Sequence, residues 1–379
     1  MLSFWEKQSF LYYDYLIVGS GIVGLSTASS LIEKEKNAKI LVLERGIFPT
    51  GASTKNAGFA CFGSLTEILA DLRTMPAEQV VSLVSERYHG LLGLRKRLGD
   101  TQIGFLQYGG YELISEKELP ALNKIDSVND LLFPIFKSKV YAIKNEQIQE
   151  FGFDKNFTKS LIFNPYEGQI DTGKMMQSLL RYVQSKGVMI LNQCEVTHIE
   201  DSHKQATVKV WVRNHLDKED IAFSARKVIL CTNAFTPQLF PTEDIFAGRG
   251  QVLVTEPIAN LKIKGTFHFD EGFYYFRNFE NRLIFGGGRN IDFQAENTLE
   301  IATTPRIMND LEEKLRMIIL PNTSYQIAHR WAGIMAFGNE KKPIVKYHSA
   351  NIILAVRMGG MGIAIGTQIG KQVLDLISN

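Results

Sequence analysis

The feature that most constrains this chain is a glycine-rich turn between an apolar strand and a helix. Residues 15–19 (YLIVG) predict a buried parallel strand, and apolar residues then recur at helical spacing from 22 to 33. The turn has the pattern G-x-G-x-x-G and consists of Gly19, Ser20, Gly21, Ile22, Val23 and Gly24. Such a turn offers backbone amides and the positive end of a helix dipole to a phosphate, so the sequence predicts a dinucleotide-binding site.

An acidic residue stands where the ribose of such a nucleotide would lie. Residues 39–44 (KILVLE) predict a second buried strand, and Glu44 at its end can accept hydrogen bonds from both hydroxyls of an adenosine ribose. A carboxylate there disfavours the 2′-phosphate of NADP and leaves NAD and FAD open. The alternative is a glycine-rich turn with a surface glutamate, but strand, helix and acid together favour nucleotide binding.

Composition excludes several other classes of protein. The 379 residues are 45% hydrophobic and 22% charged with a net charge of +2, and no Lys/Arg-rich block favours nucleic acid as a partner. The three cysteines are far apart and the histidines lack metal-ligand spacing, so we expect no metal site and a reducing, cytoplasmic setting. Residues 352–369 are apolar but interrupted by Arg357 and glycines, so no transmembrane segment is expected.

The order of predicted elements indicates two interleaved domains. Nucleotide-type strands and helices occur at the start, middle and end of the chain, and residues 104–115 predict a hairpin. We expect an α/β fold with a doubly wound, Rossmann-like domain interleaved with a mixed-sheet α+β substrate domain. The predicted nucleotide-binding domain comprises residues 1–70, 160–240 and 345–379, and the predicted substrate or cap domain comprises 71–159 and 241–344.

Five further segments, in order along the chain, match one family of flavoenzymes. They are 51–59 (GASTKNAGF), 169–174 (QIDTGK), 232–234 (TNA), 249–251 (RGQ) and 359–362 (GGMG) with Gly366. Together they resemble the D-amino-acid oxidase superfamily of FAD-dependent oxidoreductases. Within it, the chain is most similar to the branch of γ-glutamylputrescine oxidoreductase and glycine oxidase.

This resemblance implies that the nucleotide-binding domain holds FAD, without a covalent bond because Cys61 matches no known attachment site. Beyond the first turn, it implies FAD contacts from Glu44, Arg45, Ser53, Thr54, Lys55, Asn56, Ala57, Gly58, Val196, Thr232, Asn233, Ala234, Gly359, Gly360, Met361 and Gly362. Residues 53–58 are small and polar, so they can run close under a flavin. The helix beginning near residue 362 can direct its positive end at the flavin pyrimidine ring, where a reduced flavin is negative.

The resemblance also implies an activity. A small amine or amino acid gives a hydride from the C–H bond beside nitrogen to flavin N5, and the resulting imine then hydrolyses. Two alternatives stay open, an FAD-dependent 2-hydroxy-acid dehydrogenase of the same fold and a non-catalytic FAD-binding module. The electron acceptor also stays open between dioxygen, a quinone and a carrier protein.

Five residues are candidates for binding the substrate or assisting its oxidation. Tyr275 and Arg277 share one face of a predicted strand that should line the pocket. In glycine and D-amino-acid oxidases an arginine clamps the substrate carboxylate, and Met335 stands at that position here, so Arg330 or Arg277 would have to replace it. Trp331 is either a wall for the amine or a core residue. Lys55 is either a cation that helps dioxygen accept electrons or a solvated lysine.

Overall fold

The computed structural model describes residues 1–201, 207–214 and 219–378, and its strands form two large sheets and one small one. The strands are β1 (Tyr12–Val18), β2 (Ile40–Leu43), β3 (Phe59–Ala60), β4 (Gly110–Ile114), β5 (Ala142–Ile143), β6 (Ser160–Asn164), β7 (Gly168–Gln169), β8 (Met189–Leu191), β9 (Val196–Asp201), β10 (Val208–Val212), β11 (Ile221–Leu230), β12 (Phe246–Thr255), β13 (Thr266–Phe269), β14 (Tyr274–Phe279), β15 (Arg282–Gly287), β16 (Ile327–Phe337), β17 (Ile344–Tyr347) and β18 (Ile352–Val356).

Helices cover the sheets and connect their strands. They are α1 (Phe4–Phe10), α2 (Ile22–Lys34), α3 (Ala52–Lys55), α4 (Leu65–Leu72), α5 (Ala77–Leu98), α6 (Asp100–Ile103), α7 (Ile125–Phe136), α8 (Glu146–Phe151), α9 (Thr172–Ser185), α10 (Phe293–Glu296), α11 (Pro305–Lys314) and α12 (Gly362–Ser378). In the described part of the chain, four further helices of 3₁₀ or π type lie at Glu116–Lys124, Asn233–Gln238, Arg289–Ile291 and Leu315–Ile319. Among the described helices, none has the length and hydropathy needed to cross a membrane.

The first sheet has the order β17-β18-β11-β1-β2-β8, and its central strands run parallel. Alternate side chains of β1 enter two different cores, as a strand buried on both faces requires. Tyr15 and Ile17 face α2, α9 and α12, whereas Leu16 and Val18 face the antiparallel strands β9 and β10. The predicted α/β nucleotide-binding domain is thereby confirmed, with antiparallel strands rather than helices covering one face of its parallel sheet.

Two helices cross closely on this sheet because one of them carries glycines at the crossing. A Cβ added at Gly366 would lie 2.3 Å from Ile22 Cγ2, and one added at Gly370 would lie 2.5 Å from the backbone of Ser26. α12 therefore packs directly on α2. Since α2 follows β1 and α12 follows β18, both helices begin at the carboxyl edge of the parallel strands.

The second sheet has the order β16-β12-β15-β14-β13-β4-β6-β5 and is mostly antiparallel. Its aromatic core includes the stacked rings of Phe267 and Phe276, which are 4.7 Å apart, and α11 covers this face with Leu311. The mixed-sheet domain expected beside the nucleotide-binding domain is thus present.

Three predictions about this part of the chain are wrong in detail. Residues 104–115 form no hairpin, because β4 pairs with β6 and β13 while Leu106 bridges to Gln169. β6 lies in the second sheet, although residues 160–164 were expected in the nucleotide-binding domain. Conversely, α5 was expected in the substrate domain, yet its Leu91 and Leu94 enter the core between the first sheet and α12.

Candidate FAD and substrate site

A cavity of about 910 Å³ runs along the carboxyl edge of the first sheet and under the second. It begins at the start of α2, passes residues 232–233 after β11, and reaches the start of α12 and the strands β12, β14 and β16. This volume lies at the upper end of the range of about 300–1,000 Å³ for ligand pockets, as a large cofactor with its substrate requires.

The glycine turn fits closely between its neighbours. Gly19 has a φ of +106°, and a Cβ there would lie 2.9 Å from the carbonyl oxygen of Cys231. A Cβ at Gly24 would lie 1.9 Å from the carbonyl oxygen of Gly19, so only glycine allows this strand–helix approach. At the start of α2, on the cavity wall, the amide of Ile22 donates to Ser53 Oγ over 2.9 Å. This cradle suits a diphosphate.

Glu44 is buried at the end of β2, and its carboxylate already faces the turn. Its Oε2 accepts hydrogen bonds from the Ser20 amide (3.2 Å) and hydroxyl (2.7 Å), and its Oε1 accepts from the Gly46 amide (2.9 Å). The adjacent Arg45 guanidinium stacks 3.7 Å over the ring of Phe235 and forms the cavity wall next to it. The carboxylate is thus held where it can receive ribose hydroxyls.

Polar contacts on both sides fix the backbone conformation of residues 53–58. Asn56 donates to the Ser53 carbonyl (2.9 Å) and accepts from the Thr172 hydroxyl (2.9 Å). The buried Arg277 Nε donates to the carbonyl of Ala57, and burial lowers the pKa of this guanidinium to about 10. Arg277 therefore anchors the segment from behind.

The two late segments of the wall are also joined to each other. Asn233, with a φ of +49°, accepts hydrogen bonds through Oδ1 from the amides of Arg357 (3.1 Å) and Met358 (3.4 Å). The buried Arg357 side chain donates in turn to Asp244 and to the Lys342 carbonyl. These contacts fix residues 357–362 relative to the turn after β11.

The far end of the cavity lies over two glycines of β12. A Cβ at Gly250 would lie 2.9 Å from Met335 Cε and 3.7 Å from the Tyr275 hydroxyl, and one at Gly248 would lie 2.9 Å from Arg289 Nη1. These three side chains thus converge over the two glycines. The Arg289 guanidinium stacks 3.9 Å over Phe337 and, in the described part of the chain, forms no hydrogen bond or ion pair. Burial lowers its pKa.

The structure brings most predicted site residues to the cavity wall. The wall includes Gly19, Gly21, Ile22, Val23, Glu44, Arg45, Ser53, Lys55, Asn56, Ala57, Val196, Thr232, Asn233, Tyr275, Gly359, Gly360, Met361 and Gly362. Ser20, Gly24, Thr54, Gly58 and Ala234 lie just behind it and shape it.

Three of the five residues predicted to act on the substrate do not line the cavity. Arg330 faces outward and forms an ion pair with Glu312 at 2.5 Å, so it does not replace the missing carboxylate clamp. Arg277 lies behind residues 53–58. Trp331 donates through Nε1 to the Lys55 carbonyl over 2.8 Å, which supports that residue without facing the cavity.

The sequence analysis missed Arg289, His268 and Glu67, which also line the cavity. Arg289 follows three successive glycines, and Gly287 (φ +130°) and Gly288 (φ +75°) turn the chain back toward β12. Those glycines were the available signal. No local pattern marks His268 or Glu67, because they meet the cavity only through the pairing of distant elements.

The comparisons with known proteins agree with this geometry. Residues 14–376 match the family model described as FAD-dependent oxidoreductase, DAO. The chain belongs to this family. Its cofactor is accordingly FAD, and the glycine cradle, Glu44 and the size of the cavity fit that molecule.

A curated relative is the bifunctional ThiO/ThiG protein of Synechocystis, 22% identical over 377 residues that cover 96% of this chain. The alignment takes in 51% of that protein, so this chain spans about half its length.

Solved structures share the fold over nearly the whole chain. L-proline dehydrogenase from P. horikoshii superposes with a TM-score of 0.77 at 18% identity, covering 97% of this chain and 94% of the other. Glycine oxidase from Geobacillus kaustophilus gives 0.76 at 18% identity, with 97% and 95% covered. L-α-glycerophosphate oxidase from Mycoplasma pneumoniae, solved with FAD bound, gives 0.72 at 16% identity, with 97% and 95% covered.

Proposed function

We propose that this oxidoreductase oxidises the C–N bond of a small amino acid, and that Arg289 binds the substrate carboxylate. The observation that carries the proposal is an unpaired, half-buried guanidinium on the cavity wall, next to Tyr275 and Met335. A carboxylate is the natural partner of such a group, because a planar guanidinium binds it through two parallel hydrogen bonds. Bound FAD supplies the two-electron acceptor.

The position of Arg289 accounts for a departure from the family pattern. Met335 occupies the place of the carboxylate-binding arginine of glycine and D-amino-acid oxidases, but β16 and β12 are paired so that Met335 lies opposite Gly248. Arg289 approaches the same glycine from the short helix after β15, so the positive charge enters the same space from another element. The aromatic ring of Phe337 holds the guanidinium in place.

The other residues around this space position the substrate and exclude water. The Tyr275 hydroxyl lies over Gly250, and burial raises its pKa to about 12, so it stays a neutral hydrogen-bond donor. Lys55 packs against Gly333 and adds a cation to the wall. Two structural relatives, a proline dehydrogenase and a glycine oxidase, act on amino acids as their names state, which supports the proposal.

The test is anaerobic bleaching of the flavin by a panel of N-methyl amino acids, D- and L-amino acids, amines without a carboxylate, and 2-hydroxy acids. We expect amino acids to reduce the wild-type flavin. Arg289→Met should weaken their apparent binding by about 10²-fold, the loss of roughly 2–3 kcal/mol from a charged hydrogen-bonded pair. Arg330→Met is the matched control and should change it less than about 2-fold.

Three results would overturn the proposal. Bleaching by amines alone, with no effect of Arg289→Met, would remove the carboxylate from the substrate. Bleaching by a 2-hydroxy acid and by no nitrogen compound would establish the hydroxy-acid alternative, whose carboxylate Arg289 also fits. A flavin that no member of the panel reduces would favour a non-catalytic module.

A further inference from the structure

A group of carboxyl side chains lies beside the substrate end of the cavity. This carboxylate cluster consists of Glu67, Glu112 and Glu167; the last two are 3% and 2% exposed. Glu112 accepts hydrogen bonds from the hydroxyls of Ser64 and Thr66, and Glu167 accepts from the Phe62 amide. In the described residues neither Glu112 nor Glu167 has a lysine or arginine within ion-pair distance.

One histidine connects this cluster to the cavity. His268 of β13 is 5% exposed, lines the main cavity, and also lines a second cavity of about 10 Å³ together with Glu112 and Glu167. Its Nε2 lies 3.9 Å from Glu167 Oε2, and no hydrogen-bond partner for it occurs among the described residues. The small cavity is about the size that one water molecule needs. A single water there has room to hydrogen-bond to both His268 Nε2 and the Glu167 carboxyl group.

Burial in this region favours the neutral forms of the carboxyl groups and of the imidazole. Burial raises the pKa of Glu112 to about 7 and that of Glu167 to about 8, and burial lowers the pKa of His268. Near neutral pH the cluster therefore exchanges protons readily with an uncharged imidazole.

Four other titratable groups around the cluster do not compete for these protons. They are Arg87 on α5, Cys61 after β3, Tyr141 before β5 and Tyr275 on β14. Burial raises the pKa values of the thiol and of both phenols, which keeps those three neutral. The Arg87 guanidinium donates to the Phe62 carbonyl over 3.0 Å. Among the described residues, His268 is the one that lines both the main cavity and the small cavity with Glu112 and Glu167.

We propose that His268, Glu167 and Glu112 form a proton store that takes the proton the substrate nitrogen must lose. This proposal rests on the proposed function, because an amino acid enters as an ammonium ion. An N–H bond of the substrate breaks and its electron pair stays on nitrogen, while the proton bonds to the imidazole. Glu167, which holds a proton near neutral pH, passes that proton to the ionised form of Glu112 and takes the proton from His268 Nε2 in its place. The amine formed in this way can then give up the electron pair of its C–H bond to FAD.

The space for Glu167 depends on a glycine, which provides a second variant. A Cβ at Gly110 would lie 2.0 Å from Glu167 Oε2. Gly110→Ala should therefore move the Glu167 carboxyl group away from His268 without removing it. Glu118 provides the matched control, because it accepts from the amide and hydroxyl of Ser115 outside this cluster.

The test combines infrared spectroscopy with flavin reduction as a function of pH. In the wild type at neutral pH we expect the carbonyl stretch of a protonated carboxylic acid, and Glu167→Gln should weaken it while Glu118→Gln leaves it unchanged. In anaerobic stopped flow, Glu167→Gln, His268→Gln and Gly110→Ala should slow flavin reduction by about 10²-fold below the pKa of the substrate ammonium, the usual size of general-base catalysis. Above that pKa the rate should return to within about 2-fold of wild type.

Loss of rate by the same factor at every pH would assign these residues a structural role and overturn the proposal. Unchanged rates in the variants, or a wild type without the infrared band, would also overturn it. If no nitrogen compound reduces the wild-type flavin, the proposed function itself has failed. A band that persists in that case would show a protonated cluster without this catalytic use, so the two failures are distinguishable.

Discussion

Replacing Gly24 by alanine tests how closely the cofactor cradle is fitted. The added Cβ would lie 1.9 Å from the carbonyl oxygen of Gly19, whereas carbon and oxygen atoms normally stay at least about 3.3 Å apart. The start of α2 would therefore have to move by about 1.4 Å. Gly19 is itself held in place, because its amide donates to the Leu43 carbonyl over 2.8 Å.

This displacement has two expected costs. Overpacking of this kind destabilises a fold by about 1–3 kcal/mol. In addition, each amide hydrogen bond to a charged phosphate that is lost costs about 1.5–3 kcal/mol, so the dissociation constant of FAD should rise by about 10- to 150-fold. Both quantities are measurable on the purified protein.

The assays are urea unfolding of the apoprotein and a fluorescence titration with FAD. Gly173→Ala is the control, since that residue lies in the first turn of α9, away from the cavity, and a Cβ there meets only Asp171 Oδ1, at 3.3 Å. The control should bind FAD like the wild type. Normal FAD affinity in Gly24→Ala would refute the assignment of this turn to the diphosphate.

Three further predictions concern groups buried around the site. Arg249→Ala should lower the free energy of unfolding by about 3–5 kcal/mol, because it leaves Glu296 buried without its ion-pair partner at 2.8 Å. Chemical denaturation measures this effect, and the double variant Arg249→Ala/Glu296→Leu should be less destabilised. The apoprotein should lose on the order of 3–5 kcal/mol of stability as pH rises from about 4.5 to about 8, since burial raises the pKa of Glu167 to about 8 in the folded state. Urea midpoints measured across that pH window should therefore change less in Glu167→Gln than in the wild type. Equal slopes of midpoint against pH in the two proteins would contradict this. Asn233→Ala should weaken FAD binding by about 10-fold, because the Arg357 and Met358 amides lose their acceptor, and a titration showing wild-type affinity would count against this link.

The parts of the structure that could be predicted from sequence are those set by local chemistry. The strand–turn–helix around Gly19 and Gly24 needs only an apolar run, three glycines and a helical period, and its steric reasons are visible within a few residues. The start of α9 was predictable for the same reason, since the Asp171 side chain accepts from the Lys174 amide.

The parts that could not be predicted depend on which distant segments pair. β6 joined the second sheet because it pairs with β4, a partner about 50 residues away that local periodicity does not reveal. Likewise, Glu112 and His268 are neighbours only because β4 and β13 run side by side. Arg330 was expected in the pocket, but the alternation along β16 directs it to Glu312 instead.

The central claim is that one cavity holds FAD from the start of α2 to the start of α12, with Arg289 at its substrate end. A crystal structure of the protein loaded with FAD and an unreactive carboxylate inhibitor tests it most directly. We expect the diphosphate to lie at the backbone amides of the start of α2, after Gly21. The flavin ring should lie beside residues 359–362, and the inhibitor carboxylate should bind Arg289. A diphosphate elsewhere, or a carboxylate bound away from Arg289, would contradict it.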